Sequence, residues 1–169
     1  RREFGGEDVA VLLAGDDVPH IAPEVLRKLI RVGGGDDLFA RVDLENLIQY
    51  DYAALAKRVE NPALYGVFEV DKNNRVVNLV EKPKEYIGDL ANIGCYVLQP
   101  EFFDELEKTP LSIRGEIEIT SAVYSVAQKR DVYALPIKGF WLPTGFAWDL
   151  LNHQEFLMSE LESQNKDRV

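Results

Sequence analysis

Between residues 65 and 98, side chains able to bind a phosphorylated polyol recur at the ends of apolar runs. Gly66 allows a ligand to approach the backbone closely, and Glu81 can accept hydrogen bonds from paired hydroxyl groups. Asn92 can both donate and accept hydrogen bonds, and the ammonium of Lys82 can hold a phosphate as a point charge. These four residues predict a sugar-phosphate site. They also fit a surface hairpin in which Glu81 and Lys82 form a solvated pair and Asn92 caps a turn.

A β-hairpin would bring these residues together. Two runs rich in β-branched residues, 65–71 and 75–80, flank the Lys-Asn-Asn segment at 72–74. Asparagine tolerates the left-handed backbone that a tight turn needs, so the pattern predicts a hairpin. Pro83 cannot donate to a strand ladder and ends the second strand, and the apolar run 93–98 predicts a third strand. We expect the candidate site at the ends of these strands.

An earlier stretch of the chain is typical of half a βαβ unit. The apolar run 9–14 predicts a buried strand, and residues 23–30 predict a helix with Pro23 in its first turn. Gly15, Asp16 and Asp17 lie between them, at the carboxyl end of the predicted strand. Open α/β sheets bind ligands at that end, which makes these acids candidates for a site.

A second Gly-Asp-Asp sequence occupies residues 35–37, after two further glycines. Glycine allows a tight turn, and an aspartate at such a turn can bind Mg²⁺ directly or through water. Alternatively, the aspartate caps the following helix, predicted at 44–50, although Asp43 is the better-placed cap. The residues alone leave both interpretations open.

Further strands and helices are predicted along the rest of the chain. Further strands are predicted at 51–59 and 131–137, and helices at 100–106, 116–128 and 146–161. Trp141, between the last strand and the last helix, is predicted to fill the core. At 169 residues, the chain suits one domain.

The composition is that of an ordinary globular protein, with 46% hydrophobic and 28% charged residues. A net charge of −10 argues against binding to nucleic acid, because no basic surplus is present to displace counterions. The single cysteine, Cys95, lies in an apolar run and cannot form an internal disulfide. With neither a membrane span nor a signal peptide in the sequence, we expect a cytoplasmic protein without a membrane partner.

Five sequence motifs, in this order along the chain, resemble those of the sugar-1-phosphate nucleotidyltransferases of the glucose-1-phosphate thymidylyltransferase and uridylyltransferase type. They are YGVFEVD, VEKPKE, LANIGCYVL, RGEIEIT and GFWLPTGFAWDLL, and the resemblance extends over residues 34–157. It implies a Rossmann-like, doubly wound and mostly parallel α/β sheet with an added β-hairpin. It also implies transfer of a nucleotidyl group from dTTP or UTP to a sugar 1-phosphate such as glucose 1-phosphate, with release of pyrophosphate and with Mg²⁺ as cofactor.

The same resemblance assigns roles to individual residues. It places Mg²⁺ at Asp36, the phosphate at the catalytic pair Lys82 and Arg114, and the sugar at Gly66, Glu81 and Asn92. A guanidinium such as that of Arg114 can hold two phosphate oxygens at once. Without the resemblance, Arg114 fits a solvated residue before a helix equally well.

The chain departs from the family pattern in two places. No Gly-rich loop with an arginine follows residues 11–15, and Pro143 stands where the family commonly has a metal-binding aspartate. We therefore expect a single domain, residues 1–169, that lacks the Gly-rich nucleotide-binding loop. Two alternatives stay open: a non-catalytic, sugar-phosphate-binding or regulatory relative, and a molybdopterin nucleotidyltransferase of the MobA type, suggested by AGDDVPHIAPEVLRKLI. Assembly into a homo-oligomer is also left open.

Overall fold

The computed structural model describes residues 37–112, 115–144 and 146–166. The strand predicted at 9–14 and the helix predicted at 23–30 lie outside the described residues.

The described chain contains seven strands and four α-helices. In chain order they are β1 (Leu38–Phe39), α1 (Arg41–Leu47), β2 (Ala53–Arg58), β3 (Gly66–Val70), β4 (Val76–Glu81), β5 (Leu90–Val97), α2 (Phe102–Lys108), α3 (Ile119–Ala127), β6 (Tyr133–Pro136), β7 (Trp141–Leu142) and α4 (Asp149–Lys166). The elements predicted between residues 51 and 161 are present, with ends displaced by a few residues.

Five of the strands form one sheet in the order β4-β3-β5-β2-β6, and β1 pairs with β7 in a small separate ladder. β2 and β6 are parallel, whereas the other neighbouring pairs of the five-stranded sheet are antiparallel. The α/β class is confirmed. Over the residues that the structure describes, which do not include 9–14, the sheet is mixed.

Side chains that alternate along β5 enter two hydrophobic cores, one on each face of the sheet. Tyr96 belongs to the core that α2 and α3 cover, together with Phe68 and Phe102. Val97 belongs to the other core, which α1 covers and which contains Trp141. The prediction that Trp141 fills the core is confirmed.

The hairpin predicted around residues 72–74 is confirmed. β3 and β4 are antiparallel, and Gly66 at the start of β3 pairs with Glu81 at the end of β4. Asn74 takes the left-handed backbone that the turn needs, with φ of 62°. The carboxylate of Asp71 accepts hydrogen bonds from two backbone N–H groups of the turn, at 2.8 and 3.0 Å. The turn is therefore stabilised by its own polar side chains.

The predicted bounds of α1 are wrong. The helix begins at Arg41 and ends at Leu47, whereas the prediction was 44–50. Ala40 has the extended backbone of an N-cap residue but makes no side-chain capping bond. Asp43 lies within the first turn and is buried, with 3% of its surface exposed, so it is not the cap of the helix.

The physical reason is that Asp43 bonds to a distant segment of the chain. Its two carboxylate oxygens accept hydrogen bonds from the backbone N–H groups of Lys138 and Gly139, at 2.7 and 2.9 Å. A Cβ atom at Gly139 would lie 2.2 Å from the Cβ of Ala40, so only glycine allows this close approach. The buried carboxylate thus ties α1 to the segment before β7.

No helix in residues 37–112, 115–144 and 146–166 is both long and apolar enough to cross a membrane.

Replacement of Asp43 by alanine should lower the free energy of unfolding by about 2–4 kcal/mol, because two N–H groups lose a charge-assisted acceptor. Denaturant unfolding would measure the loss. Glu45→Ala on the same helix is the control: its carboxylate pairs with Arg41 and is half exposed, so its loss should be below about 1 kcal/mol. Equal losses in the two variants would contradict the proposed role of Asp43.

Candidate functional site

The three predicted sugar-binding residues lie together, although they come from three different strands. A Cβ atom at Gly66 would lie 3.0 Å from Oε2 of Glu81 and 3.5 Å from Cβ of Asn92. Glu81 reaches this point because it pairs with Gly66 across the hairpin. Asn92 reaches it from β5, the neighbour of β3 on the other side. The tertiary structure therefore assembles a carboxylate and a carboxamide around the start of β3.

Thr120, in the first turn of α3, completes this cluster. Its Cγ2 atom would lie 2.7 Å from a Cβ at Gly66, closer than the atoms of Glu81 and Asn92. Thr120 is buried, and its hydroxyl makes no hydrogen bond within the described part of the chain. A buried hydroxyl without a partner is destabilising, and ligand sites are among the places where such groups occur.

Thr120 was not predicted as a site residue. Thr120 is the last residue of the RGEIEIT motif, and that motif was the one sequence feature that could have indicated it. In the sequence, however, Thr120 is a single polar residue in an otherwise apolar helix face. Only the packing of α3 on the sheet places its side chain beside Gly66. We define the site cluster as Gly66, Glu81, Asn92 and Thr120.

Space beside Gly66 is occupied by protein atoms. The sequence predicts this glycine as a point of close ligand approach, and in the structure Thr120 and Glu81 fill the volume next to its Cα. The glycine is thus needed for α3 and β4 to pack this closely.

The carboxamide of Asn92 is held at both ends. Its Oδ1 accepts a hydrogen bond from the backbone N–H of Gly94 at 3.1 Å, and its Nδ2 donates to the hydroxyl of Tyr96. A carboxamide has two N–H donors and two acceptor lone pairs, so one of each remains for a ligand.

The pKa of Tyr96 is raised by its surroundings. Burial is the main cause that raises the pKa of Tyr96, the hydrogen bond with Asn92 opposes it, and the negative charge of Glu81 raises it further. Tyr96 therefore remains a neutral phenol at physiological pH.

Lys82 lies next to the cluster in a strained backbone conformation. Its φ is 45°, in the left-handed region that non-glycine residues rarely occupy, and its N–H donates to the carbonyl of Tyr65 at 2.9 Å. The side chain is exposed, so the ammonium is available to a phosphate. Strain of this kind is concentrated at functional sites, which is consistent with the predicted role of Lys82.

The Trp141 segment lies on the opposite face of the sheet. The indole N–H of Trp141 donates to Asp37 at 3.1 Å, and the other carboxylate oxygen of Asp37 accepts from the backbone N–H of Thr144 at 3.0 Å. Tyr65 packs edge-on against the indole, with ring centroids 6.3 Å apart. Pro143, between these contacts, is exposed. Asp37 therefore holds this segment in place.

Two predicted residues, Asp36 and Arg114, lie outside the described residues, so their roles stay predictions. Among the residues that the structure describes, no group of three or more His, Cys, Asp or Glu side chains could hold a metal ion. Asp37, which follows Asp36 in the sequence, accepts hydrogen bonds from N–H groups with both of its carboxylate oxygens. The side chain of Pro143 has no atom that can bind a metal ion.

Comparison with known proteins identifies one family and several relatives of this chain. Residues 32–160 match the family described as nucleotidyl transferase. The bifunctional protein GlmU of Methanocaldococcus jannaschii is 33% identical over 167 residues, which cover 99% of this chain and 39% of that protein. The low-salt glycan biosynthesis nucleotidyltransferase Agl11 of Haloferax volcanii is 32% identical, over 99% of this chain and 43% of its own length. The chain thus spans about two fifths of these relatives.

Solved structures share the fold. A UDP-glucose pyrophosphorylase in complex with UDP-glucose matches with a TM-score of 0.60 and 23% identity, over 71% of this chain and 49% of that one. A putative glucose-1-phosphate thymidylyltransferase from Bacillus anthracis matches with a TM-score of 0.56 and 25% identity, over 70% of this chain and 50% of that one.

Gly66→Ala should lower the free energy of unfolding by about 1–3 kcal/mol, because the new methyl group overlaps the Cγ2 atom of Thr120. Thr120→Ser removes that atom and keeps the hydroxyl. In a double-mutant cycle measured by denaturant unfolding, Gly66→Ala should therefore be less destabilising in the Thr120→Ser background. Strictly additive losses would show that this contact does not explain the glycine.

Lys82→Gly should raise the free energy of unfolding by about 0.5–1 kcal/mol, because relief of left-handed strain exceeds the added backbone entropy of glycine. Lys84→Gly is the matched control: Lys84 is exposed in the same loop and is not among the described residues with positive φ, so its replacement should be destabilising. Thermal or chemical unfolding would compare them. Destabilisation by both replacements would argue against strain at Lys82.

Proposed function

Because the chain belongs to the nucleotidyl transferase family, we propose that it transfers a nucleotidyl group from a nucleoside triphosphate to a sugar 1-phosphate. The observation that carries this proposal is the site cluster, in which a carboxylate, a carboxamide and a buried hydroxyl without a partner converge beside Gly66. The substrates we propose are UTP or dTTP and glucose 1-phosphate. The names of the two similar solved structures, which refer to UDP-glucose and to glucose 1-phosphate, support that choice.

The hydrogen-bonding capacity of the site cluster suits a sugar ring. Glu81 can accept from hydroxyl groups, Asn92 can donate its second N–H, and the hydroxyl of Thr120 can do either. Hydroxyl groups of a sugar, which both donate and accept, match this mixed set better than a purely anionic or apolar ligand would. Burial of Thr120 increases the preference for a sugar over an apolar ligand, because a ligand without a matching polar group would leave the hydroxyl of Thr120 unpaired.

The sugar phosphate would extend from this cluster toward Lys82. In the reaction, a phosphate oxygen of the sugar attacks the α-phosphorus of the triphosphate, a new P–O bond forms, and the bond to the β-phosphate breaks to release pyrophosphate. Lys82 and Arg114 would hold the phosphate groups and balance their charge. The protein contributes mainly positioning and electrostatic stabilisation, as is usual for phosphoryl transfer.

Asp36 is the residue we propose for Mg²⁺, which would neutralise charge on the phosphates when bound. Asp37, the next residue in the sequence, is already engaged with Trp141 and Thr144. A second candidate function follows from Pro143, which is exposed where the family resemblance expects a carboxylate. On that basis, a sugar-phosphate-binding relative without transferase activity is the alternative.

Pyrophosphate release from UTP or dTTP, with glucose 1-phosphate as acceptor, tests the proposed function directly. Turnover that requires both substrates supports the transferase. Binding of glucose 1-phosphate in a calorimeter without turnover supports the non-catalytic alternative. If the protein neither binds nor reacts with the sugar phosphate, both functions are excluded.

Thr120→Val should weaken binding of the sugar phosphate about tenfold, because one hydrogen bond of roughly 1–1.5 kcal/mol is lost. Stability should stay constant or rise, since valine keeps the shape of the side chain and removes a buried hydroxyl without a partner. Thr120→Ser, which retains the hydroxyl, should bind with an affinity close to that of the wild type. Calorimetry and thermal unfolding would separate the two effects, and unchanged binding by the valine variant would remove Thr120 from the site.

A further inference from the structure

Strand β5 contains a bulge at the site cluster. Its pairing with β2 joins Ala54 to Tyr96 and Ala56 to Asn92, so a step of two residues along β2 corresponds to a step of four along β5. Gly94, in the middle of the bulge, has φ of 76°, which glycine adopts without strain. The bulge therefore interrupts the regular ladder between Asn92 and Tyr96.

This interruption brings two side chains into contact that a regular strand would separate. Residues four apart in an extended strand are about 13 Å apart along its axis. In the bulged strand, Nδ2 of Asn92 nevertheless donates a hydrogen bond to the hydroxyl of Tyr96. The contact thus depends on the shape of the bulge as well as on the two residue types.

The bulge also sets which way the Asn92 carboxamide faces. The N–H of Gly94 needs an acceptor and finds Oδ1 at 3.1 Å, so Nδ2 faces Tyr96. Tyr96 is 1% exposed, and its ring is packed in the core beneath α2 and α3. A buried aromatic ring is a rigid support, which limits rotation of the carboxamide bonded to its hydroxyl.

We propose that Tyr96 is a positioning residue for the sugar: through its hydroxyl it holds the Asn92 carboxamide so that the second N–H of Nδ2 faces the ligand. This inference rests on the proposed function, because it assigns Asn92 to the sugar site. It adds a residue that touches no substrate and acts through another side chain. Neutrality of the phenol, favoured by its burial, keeps the hydroxyl in the same protonation state across physiological pH.

Tyr96→Phe separates this role from core packing, because the ring remains and only the hydroxyl is lost. We expect KM for glucose 1-phosphate to rise about five- to tenfold while KM for the nucleotide stays unchanged. Tyr52→Phe is the matched control, since Tyr52 is also buried in the same core but is not bonded to Asn92. It should change neither KM. Equal effects of the two replacements, or an unchanged KM for the sugar phosphate in Tyr96→Phe, would overturn the proposal.

A double-mutant cycle with Asn92→Ala tests whether Tyr96 acts through Asn92. In that background, Tyr96→Phe should have no further effect on KM for glucose 1-phosphate, whereas fully additive effects would overturn the positioning role.

A readout without substrate distinguishes failure of this inference from failure of the proposed function. In the NMR spectrum, the two side-chain amide protons of Asn92 should shift and exchange faster with water in Tyr96→Phe than in Tyr52→Phe. If they shift but the wild type neither binds nor converts the sugar phosphate, the contact stands and the proposed function fails. If they do not shift, Tyr96 does not hold the carboxamide, whatever the activity of the protein.

Discussion

The close packing of α3 against the start of β3 is the contact on which the rest of the candidate site depends. The methyl group of Thr120 lies so near Gly66 that a Cβ there would be only 2.7 Å away, so glycine is required at this position. The same helix covers the core that contains Tyr96 and Phe68, so burial of apolar surface determines where the helix lies. Core packing thereby brings a helix hydroxyl to the carboxylate of Glu81 and the carboxamide of Asn92.

The polar side chains of the described residues differ in whether they have hydrogen-bond partners within the chain. Asp43 is buried and bonded to two backbone N–H groups, and its role is to join α1 to the segment before β7. Asp37, which is only half-buried, has the same kind of role for Trp141 and the residues that follow it. Thr120, by contrast, is buried with no partner among the described residues. Since an unpaired buried hydroxyl is unfavourable, Thr120 is the residue that most supports the sugar site we propose.

Features based on local chemistry were predicted well. The hairpin follows from β-branched runs and an Asn turn, and the structure shows the turn with Asn74 in the left-handed region. Pairing across that hairpin then places Gly66 opposite Glu81, as the candidate site requires. The start of α1 could not be predicted, because the partners of Asp43 lie 95 and 96 residues away in the chain. A side chain that bonds so far from its own helix gives no local signal of its role.

The sequence by itself determined most of the strands and helices after residue 51, the hairpin and the types of side chain at the candidate site, because periodicity and turn chemistry act over a few residues. Its five motifs also identified the family. Tertiary structure decided three things: that Thr120 lies beside Gly66, that Asp37 supports a segment near Pro143, and that a bulge at Gly94 joins Asn92 to Tyr96. Each depends on the distance between residues from different elements or on strand register, and neither quantity is encoded in the local pattern of residue types.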